Sequence, residues 1–323
     1  MLSNFFKKLQ NQFLLLLLLS TIIPVTIVGW YGIFSSTAAL SQLSLTQIDS
    51  QVSEKAEKIS SFFSNFREDT LFLSKVPPIQ GLVRARAGGG IDRDSNSSYA
   101  DWVERLQTIF VAMIQAKPYY TELSFLDETG QELVRVDFDG VNIKTIAQNL
   151  LQNKSDRPYF TKTMKLGLNQ IYVSEVELSR ERGQIERPFK PVIRFATPIF
   201  DSAGKRKGVA IANVFANYLI KTIEEAKLGN EAQLFLIDQD GYYISHPNLS
   251  KEWGFDLKTN QKLDKDYPPD ITKQILNGGQ GHIDKLADHI ISYYTTPLNS
   301  GQKEFLTVVY QAPKQIVFAS INR

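Results

Sequence analysis

An uncharged apolar stretch near the N-terminus constrains this chain more than any other feature. Residues Phe13 to Phe34 carry no charged side chain and begin with a run of leucines from Leu14 to Leu19. A helix of this length can cross the hydrocarbon core of a bilayer. A cleavable signal peptide is the alternative, with Ser36-Thr37-Ala38 as a candidate cleavage site, but its apolar core would span only about 7–15 residues. We therefore expect an uncleaved transmembrane helix at residues 13–34.

The distribution of basic residues predicts how this span is oriented. Lys7 and Lys8 lie just before it, whereas the next basic residue after it is Lys55. Because the cytoplasmic flanks of membrane helices are enriched in lysine and arginine, residues 1–12 are expected in the cytoplasm. The bulk of the chain should then lie in the periplasm, held at the inner (plasma) membrane by a single pass. The chain contains no cysteine, which is compatible with that compartment.

A long amphipathic pattern follows the apolar stretch. No proline or glycine occurs between Ser35 and Leu73, and apolar residues recur there at steps of three and four. This spacing predicts a stalk helix over residues 35–76, ended by Pro77-Pro78. The apolar seam could pair two protomers as a coiled coil, giving a homodimer, or it could pack on its own domain. The seam residues are Leu45, Ile48, Val52, Ala56, Ile59, Phe63 and Phe66.

Two similar hairpin patterns occur about a hundred residues apart. Residues 122–137 and 233–245 each contain a hydrophobic strand that ends in aspartate, a turn with glycine, and a return strand. Their recurrence predicts two related modules, one at residues 77–220 and one at 221–323. Residues 87–98 have the composition of a loop and are expected to form a flexible connector before a helix at 99–117. Further strands are expected at Gly281 to Tyr294 and at Phe305 to Tyr310.

The combination of anchor, stalk and hairpins resembles the double Cache sensor, the extracytoplasmic ligand-binding region of bacterial chemoreceptors and sensor histidine kinases. The resemblance runs from Ser35 to the C-terminus. It implies an α+β fold in which two PAS-like modules with antiparallel sheets stack along the long N-terminal helix. It also implies that the membrane-distal module, 77–220, binds the ligand and that the membrane-proximal module, 221–323, couples to the membrane. The matching segments are Phe125 to Glu132 with Arg135-Val136, Leu151 to Phe160, Tyr172 to Ser174, Pro191 to Arg194 with Thr197-Pro198, and Gly208 to Asn213.

The segment from Leu151 to Asn213 contains the candidate ligand site. The Arg157 guanidinium suits a carboxylate or phosphate, although it could instead form a salt bridge with Asp156 or Glu177. Arg194 lies within an apolar strand, so it needs either an acidic partner or a ligand, and the partner is the expected answer. The candidate ligand-binding residues are Arg157, Tyr159, Phe160, Tyr172, Ser174, Arg194 and Asn213.

The motif differs from that of Cache domains that bind free amino acids. Those domains share Arg-x-Trp-Tyr, then Tyr-x-Asp, then a later aspartate on a strand. The corresponding residues here are Arg157-Pro158-Tyr159-Phe160, Tyr172-Val173-Ser174 and Asn213. The resemblance therefore retains the arginine for a carboxylate but lacks the carboxylates for an ammonium group. A small organic anion is expected rather than a zwitterionic amino acid.

Other function classes find little support in the sequence. The net charge of +2, from 36 basic and 34 acidic residues, provides no basic footprint for nucleic acid. The three histidines lack zinc-site spacing, the acidic residues are dispersed, and no nucleophile or phosphate-loop motif occurs, so we expect no metal, no cofactor and no enzyme activity. No second apolar span follows Tyr310, so the kinase or chemotaxis output of this two-component sensor is expected on a missing segment or a partner chain. The alternative is a membrane-tethered solute-binding or scaffold protein without signalling output.

Overall fold

The N-terminal helix is continuous through both the apolar stretch and the stalk. The computed structural model describes residues 9–181, 183–225, 231–298 and 304–318. Helix α1 (Leu9–Leu73) contains Pro24 without a break, and at 1.5 Å per residue it is about 100 Å long. Residues 13–34 are exposed along their whole length, and α1 is the one helix among the described residues that is long and apolar enough to cross a membrane. The predicted continuous helix is confirmed, except that it ends at Leu73 rather than at residue 76.

Pro77-Pro78 starts a helix that the sequence reasoning missed. Helix α2 (Pro77–Ala87) has proline in its first turn, where a backbone amide would lack an intrahelical partner in any case. The prediction of a flexible connector at residues 87–98 is wrong. These residues form a tight hairpin of β1 (Ile91–Asp92) and β2 (Ser97–Ser98). Asp92 is fully buried and accepts two hydrogen bonds from the Arg84 guanidinium, at 2.9 and 2.8 Å.

A seven-stranded antiparallel sheet, the first sheet, follows helix α3 (Tyr99–Ala116). Its strands are β3 (Tyr120–Asp127), β4 (Glu132–Phe138), β5 (Ile143–Thr145), β6 (Tyr172–Val173), β7 (Glu177–Leu178), β10 (Pro191–Phe200) and β11 (Arg206–Phe215). Helix α4 (Pro158–Thr163) lies between β5 and β6, and the small hairpin of β8 (Arg180–Glu181) and β9 (Gln184–Ile185) lies between β7 and β10. The strand order is β5-β4-β3-β11-β10-β6, with β7 also paired to β10. The predicted hairpin β3–β4 is confirmed, whereas the apolar run from Ile171 to Leu178 forms only the two short strands β6 and β7.

A five-stranded antiparallel sheet, the second sheet, follows helix α5 (Asn217–Glu224). The elements are β12 (Gln233–Asp238), β13 (Tyr243–Ser245), α6 (Pro269–Leu276), β14 (Gln280–Ile283), β15 (His289–Pro297), β16 (Phe305–Pro313) and the short helix α7 (Lys314–Val317). The strand order is β13-β12-β16-β15-β14. The predicted hairpin β12–β13 is confirmed, while the single strand expected from Gly281 to Tyr294 is two strands, β14 and β15. Helix α5 lies across the boundary expected at residues 220 and 221, which stays a prediction.

The two sheets lie at successive positions along α1. Ser292 of the second sheet donates to Asp49 at 2.5 Å, and Thr296 donates to the Ala56 carbonyl at 3.2 Å. Further along the helix, the ring of Phe63 packs against Phe195 of the first sheet at 6.0 Å. The second sheet is therefore nearer to the apolar end of α1, and the expected stacking of two sheet modules along one helix is confirmed.

Three hairpin turns share one local geometry but differ in charge. Asp127, Asp201 and Asp238 each accept hydrogen bonds from the backbone amides two and four residues later, and a glycine three residues later has a φ of 78° to 83°. Asp127 is paired with Arg86 at 2.8 Å, and Asp201 with Lys207 at 3.6 Å. For Asp238, no such cation lies within the described ranges. Burial raises the pKa of Asp238 to about 7, and nearby carboxylates add to the rise.

Replacing Asp238 by asparagine should stabilise the protein at neutral and alkaline pH. The pKa of Asp238 is higher in the folded state than in the unfolded chain, so the free energy of unfolding falls as the pH rises from about 4 to about 7. The asparagine side chain of the variant Asp238→Asn keeps an oxygen that can accept from the same backbone amides, and it removes this loss. We expect a gain of about 1–2 kcal/mol above pH 7, shrinking toward pH 4, in melting curves recorded across that range. Asp201→Asn is the matched control and should give no gain, because hydrogen bonds lower the pKa of Asp201. A lower melting temperature of Asp238→Asn at pH 8 would contradict the assignment.

Candidate functional site

A cavity of about 480 Å³ lies on one face of the first sheet. A row of polar side chains from four neighbouring strands lines it. In this polar row Asp137 pairs with Glu122, Glu122 with Asn213, and Asn213 with Arg194. Directly paired residues in a sheet point to the same face. The sequence reasoning missed Glu122 and Asp137. Alternation in the predicted hairpin places both on one face, but their position beside Asn213 depends on β3 pairing with β11, which are far apart in the chain.

Helix α4 and the residues before it form one wall of the cavity. The Lys154 amide donates to the Gly130 carbonyl at 2.7 Å, so this segment is fixed to the β3–β4 turn. Tyr159 faces the cavity, and the Arg194 guanidinium lies 5.5 Å from the centre of its ring. Phe160, the next residue on the helix, points away and is buried in an apolar cluster with Leu126, Ala196, Val209 and Ile211.

Six of the seven predicted site residues line this cavity. They are Arg157, Tyr159, Tyr172, Ser174, Arg194 and Asn213. Phe160 does not line it, because neighbouring residues on a helix point about 100° apart and Tyr159 occupies the cavity side. The structure thus brings together residues from α4, β6, β10 and β11, and their contact with a ligand stays a prediction.

Of the three cations on the α4 wall, only Arg157 forms a salt bridge in the described part of the chain, and both side chains of that salt bridge are exposed. Arg157 is 43% exposed, and its Nε lies 3.7 Å from the carboxylate of Asp156, which is itself 77% exposed. Lys154 donates to the Gln152 amide oxygen at 2.8 Å, and the Lys162 ammonium lies 5.5 Å from the centre of the Tyr172 ring. We call Lys154, Arg157 and Lys162 the cationic wall. Exposed contacts such as that of Arg157 with Asp156 contribute little, so these charges are available to an anion.

Arg194 and Ser174 are engaged in the protein itself. Arg194 forms an ion pair with Glu177, which confirms the expectation of an acidic partner. The Ser174 hydroxyl donates to the Glu175 carbonyl at 2.8 Å and accepts from the Arg194 amide at 2.9 Å. Both side chains therefore shape the cavity, and the single hydroxyl proton of Ser174 is already donated within the protein.

Arg135 lies on β4, at the Asp137 end of the polar row, and is surrounded by three carboxylates. Its guanidinium lies 2.7 Å from Asp137, 3.5 Å from Glu122 and 3.6 Å from the buried Glu132. Burial alone would lower the pKa of Arg135, but Glu122, Asp137 and Glu132 outweigh it and raise that pKa. The positive charge of Arg135 is therefore neutralised by carboxylates within the protein, whereas Arg157 has a single exposed carboxylate contact.

The cavity also contains acidic groups, which corrects the conclusion drawn from Ser174 and Asn213. Glu122 and Glu177 are neutralised by arginines, as described above, but Glu175 and Glu304 also line the cavity and have no salt bridge in the described part of the chain. Burial raises the pKa of Glu175, and Asp240 and Glu304 add to the rise. Glu304 directly precedes β16 of the second sheet, so no local sequence signal places it here.

Two further features determine the hydrogen bonding that the cavity offers. The Asn213 side-chain oxygen is buried and accepts no hydrogen bond within the described structure. Burial raises the pKa of Tyr172 to about 12 and also raises that of Tyr159. Both tyrosines therefore keep their hydroxyl proton at neutral pH and can donate to an anion, while their rings supply apolar surface.

The histidines do not form a metal site in the described residues. His246 is buried against Phe235 and Tyr243, and its Nδ1 accepts a hydrogen bond from the Asn248 amide at 2.8 Å. His282 lies 3.5 Å from Asp49 of α1. No group of three or more metal-ligating side chains was found in the part of the chain that the structure describes.

Comparison with known proteins assigns the chain to a family. The family model described as the bacterial histidine kinase sensor domain matches residues 96–309. The chain belongs to this family. The predicted sensor class is therefore confirmed, and the family is a sensor domain rather than a catalytic one. A comparison with curated proteins found no match.

Solved structures show that the sensor domain has the expected fold. The extracellular domain of vpHK1S-Z8, assigned to a histidine kinase, is 19% identical with a TM-score of 0.70, over 88% of this chain and 97% of that one. A domain of a protein from Vibrio parahaemolyticus, assigned to the sensory box/GGDEF family, is also 19% identical with a TM-score of 0.70, over 86% and 99%. The ligand-binding domain of the Campylobacter jejuni chemoreceptor Tlp3, in complex with 4-methylisoleucine, is 14% identical with a TM-score of 0.58, over 86% and 94%. At these identities the likeness establishes the fold, and the predicted Cache-type α+β architecture is confirmed.

Proposed function

We propose that this sensor domain binds a small organic anion in the cavity of the first sheet, with Arg157 as the principal contact. The observation that carries the proposal is the cationic wall, whose three positive charges border the cavity and, among the described residues, form only one salt bridge, which is exposed. A guanidinium offers two parallel donors to a carboxylate, and the charge strengthens both hydrogen bonds. The protonated hydroxyls of Tyr159 and Tyr172 add neutral donors beside it.

The acceptor groups that line the cavity define the ligand class further. Asn213 presents a buried acceptor oxygen, and Glu175 and Glu304 present carboxylates. A ligand that fits carries its carboxylate toward Arg157 and at least one hydrogen-bond donor, such as a hydroxyl, toward one of these acceptors, because a buried acceptor without a partner is costly. A hydroxycarboxylate meets both conditions, and an amino acid is the competing ligand that the experiment below separates from it.

The apolar part of α1 supports a proposal for where the sensor domain lies in the cell. We propose that residues 13–34 cross the bacterial inner membrane, with residues 1–12 in the cytoplasm and both sheets outside. The exposed apolar surface of this segment and the lysines before it support that orientation. Ligand binding would then shift the population between two arrangements of the sheets on α1, and a histidine kinase or chemotaxis output would respond to that shift.

Replacing Arg157 by alanine should remove half or more of the stabilisation by the ligand. The 323-residue chain, purified in detergent, would be heated with acetate, lactate, pyruvate, succinate, malate and a set of amino acids. A ligand present at about a hundred times its Kd stabilises the folded state by about 2.7 kcal/mol. Because charge-assisted hydrogen bonds contribute about 1.5–3 kcal/mol, Arg157→Ala should weaken binding about 10- to 100-fold.

Arg93→Ala is the matched control, since Arg93 is an exposed arginine outside the cavity. It should leave the thermal gain unchanged. An unchanged gain in Arg157→Ala would overturn the placement of the site. A gain from amino acids alone, with none from the hydroxycarboxylates, would overturn the ligand class.

A further inference from the structure

One side of the cavity is at the same time a contact between the two sheets. Residues 174–180, which we call the cavity floor, line the cavity through Ser174, Glu175 and Glu177 to Arg180. The Leu178 amide donates to one oxygen of the Asp256 carboxylate at 3.0 Å, and the Arg180 guanidinium donates to the other at 2.8 Å. Asp256 belongs to the loop after β13, on the second sheet's side, and it is buried.

The loop that carries Asp256 has a fixed shape. Trp253, Lys258 and Asn260 have φ values of 59°, 58° and 55°, in the left-handed region that few side chains adopt. Trp253 is buried, and its amide donates to the Tyr243 carbonyl at 2.9 Å. At Gly254, a Cβ would lie 2.3 Å from the Gln261 carbonyl oxygen, so the loop closes tightly on itself. Such a loop holds the Asp256 carboxylate in one position relative to the second sheet.

One other hydrogen bond joins the sheets across the same floor. The Gln239 side-chain amide of the β12–β13 turn donates to the Glu175 carboxylate at 3.0 Å, and Glu304 of the second sheet reaches the cavity wall. On the cavity side, Glu177 of the floor is held by Arg194 of β10. The floor contains β7 and pairs with β10, so it belongs to the first sheet, and Asp256 ties it to the second sheet.

We propose that Asp256 is the positioning residue that couples the cavity to the second sheet, by fixing the cavity floor against it. Removing this carboxylate leaves the buried Leu178 amide without its acceptor and releases the Arg180 guanidinium, which is partly exposed. A change at the cavity that moves the floor therefore also moves the loop of residues 253–261, and a change in this loop moves the floor in the same way. The proposal rests on the proposed function only in that the floor borders the ligand cavity.

Amide hydrogen exchange tests this coupling without any ligand. In the chain purified in detergent, Asp256→Ala should raise the exchange rate of residues 174–180 by about tenfold, because local opening becomes easier. Asp266→Ala is the matched control, since Asp266 binds Lys251 and Tyr243 within the second sheet's side and does not touch the floor. It should leave residues 174–180 unchanged.

A double-mutant comparison then tests whether a change on the cavity side of the floor reaches the loop of residues 253–261 through Asp256. Glu177→Ala removes the side-chain contact between the floor and Arg194 on the cavity side, and it should raise exchange at residues 253–261 when Asp256 is present but add nothing in the Asp256→Ala background. If Asp256→Ala does not fold, Asp256→Asn and Arg180→Met replace it, and each should still raise exchange in the floor. The proposal would be overturned if the Asp256 and Arg180 variants exchanged residues 174–180 at the wild-type rate. It would also be overturned if Glu177→Ala exchanged residues 253–261 at the wild-type rate. Because no ligand is used, a failure to bind carboxylates leaves this result intact.

Discussion

Gly208→Ala is expected to destabilise the first sheet by about 4 kcal/mol or more, which is the largest single effect that the structure predicts. Gly208 lies on β11 with a φ of 149°, and a Cβ there would be 1.9 Å from the Leu126 carbonyl oxygen of β3. Relief of that clash requires β3 and β11 to separate, although their pairing joins the two halves of the sheet. Urea unfolding monitored by circular dichroism would measure the loss.

The neighbouring turn supplies the control for this prediction. Gly204 has a φ of 78°, but a Cβ there would meet nothing within 4 Å. Gly204→Ala should therefore cost only about 1 kcal/mol, the usual penalty for a left-handed residue with a side chain. Equal losses in the two variants would show that backbone conformation alone, rather than the approach of β3, requires glycine at position 208.

Arg135→Met is expected to destabilise the protein by about 3–5 kcal/mol at neutral pH. The substitution keeps the apolar stem but removes the positive charge among Glu122, Glu132 and Asp137, and Glu132 is buried. Burial raises the pKa of Glu132, so the penalty should shrink as the pH falls and the carboxylates become protonated. Urea midpoints at about pH 7 and about pH 5 would measure both effects.

Lys144→Met is the control for the charge at Arg135. Lys144 is exposed and lies 3.9 Å from Asp139, so its loss should change the free energy of unfolding by no more than about 0.5 kcal/mol. A penalty for Arg135→Met as small as that of Lys144→Met would contradict the internal role of Arg135. Arg135 and Arg157 line the same cavity, and we expect the first to determine stability and the second to determine binding.

Local patterns were sufficient to predict the long helix and both hairpins. The stalk has many apolar residues at helical spacing, and each hairpin has a glycine turn after aspartate. The need of Arg194 for an acidic partner was also predictable, because an unpaired charge in an apolar strand is costly. The partner, Glu177, lies on the neighbouring short strand β7.

Residues 77–98 show where local patterns mislead. Two prolines and three consecutive glycines indicated a helix end and a loose loop, yet Pro77 begins α2 and the loop is a hairpin. The order comes from Asp92, which is buried against Arg84 of that helix. Because the helix was missed, its arginine could not be recognised as a partner.

The acidic side of the cavity depends on contacts that no local pattern contains. Glu304 reaches the cavity from the second sheet, and Asp256 reaches the floor from a loop 76 residues beyond Arg180. The row from Asp137 to Arg194 requires β3 to pair with β11 across the chain. For this reason the sequence indicated a cationic site, whereas the structure shows a cavity lined by charges of both signs.

Arg157 is expected to hold the carboxylate of a ligand in the cavity of the first sheet, and the proposed function depends on this contact. A crystal structure of the chain with the carboxylate that gives the largest thermal gain would test it most directly. We expect a carboxylate oxygen within about 3.2 Å of the Arg157 guanidinium, and a ligand donor facing Asn213 or Glu175. A ligand bound at the second sheet, or in the cavity without contact to Arg157, would contradict this role of Arg157.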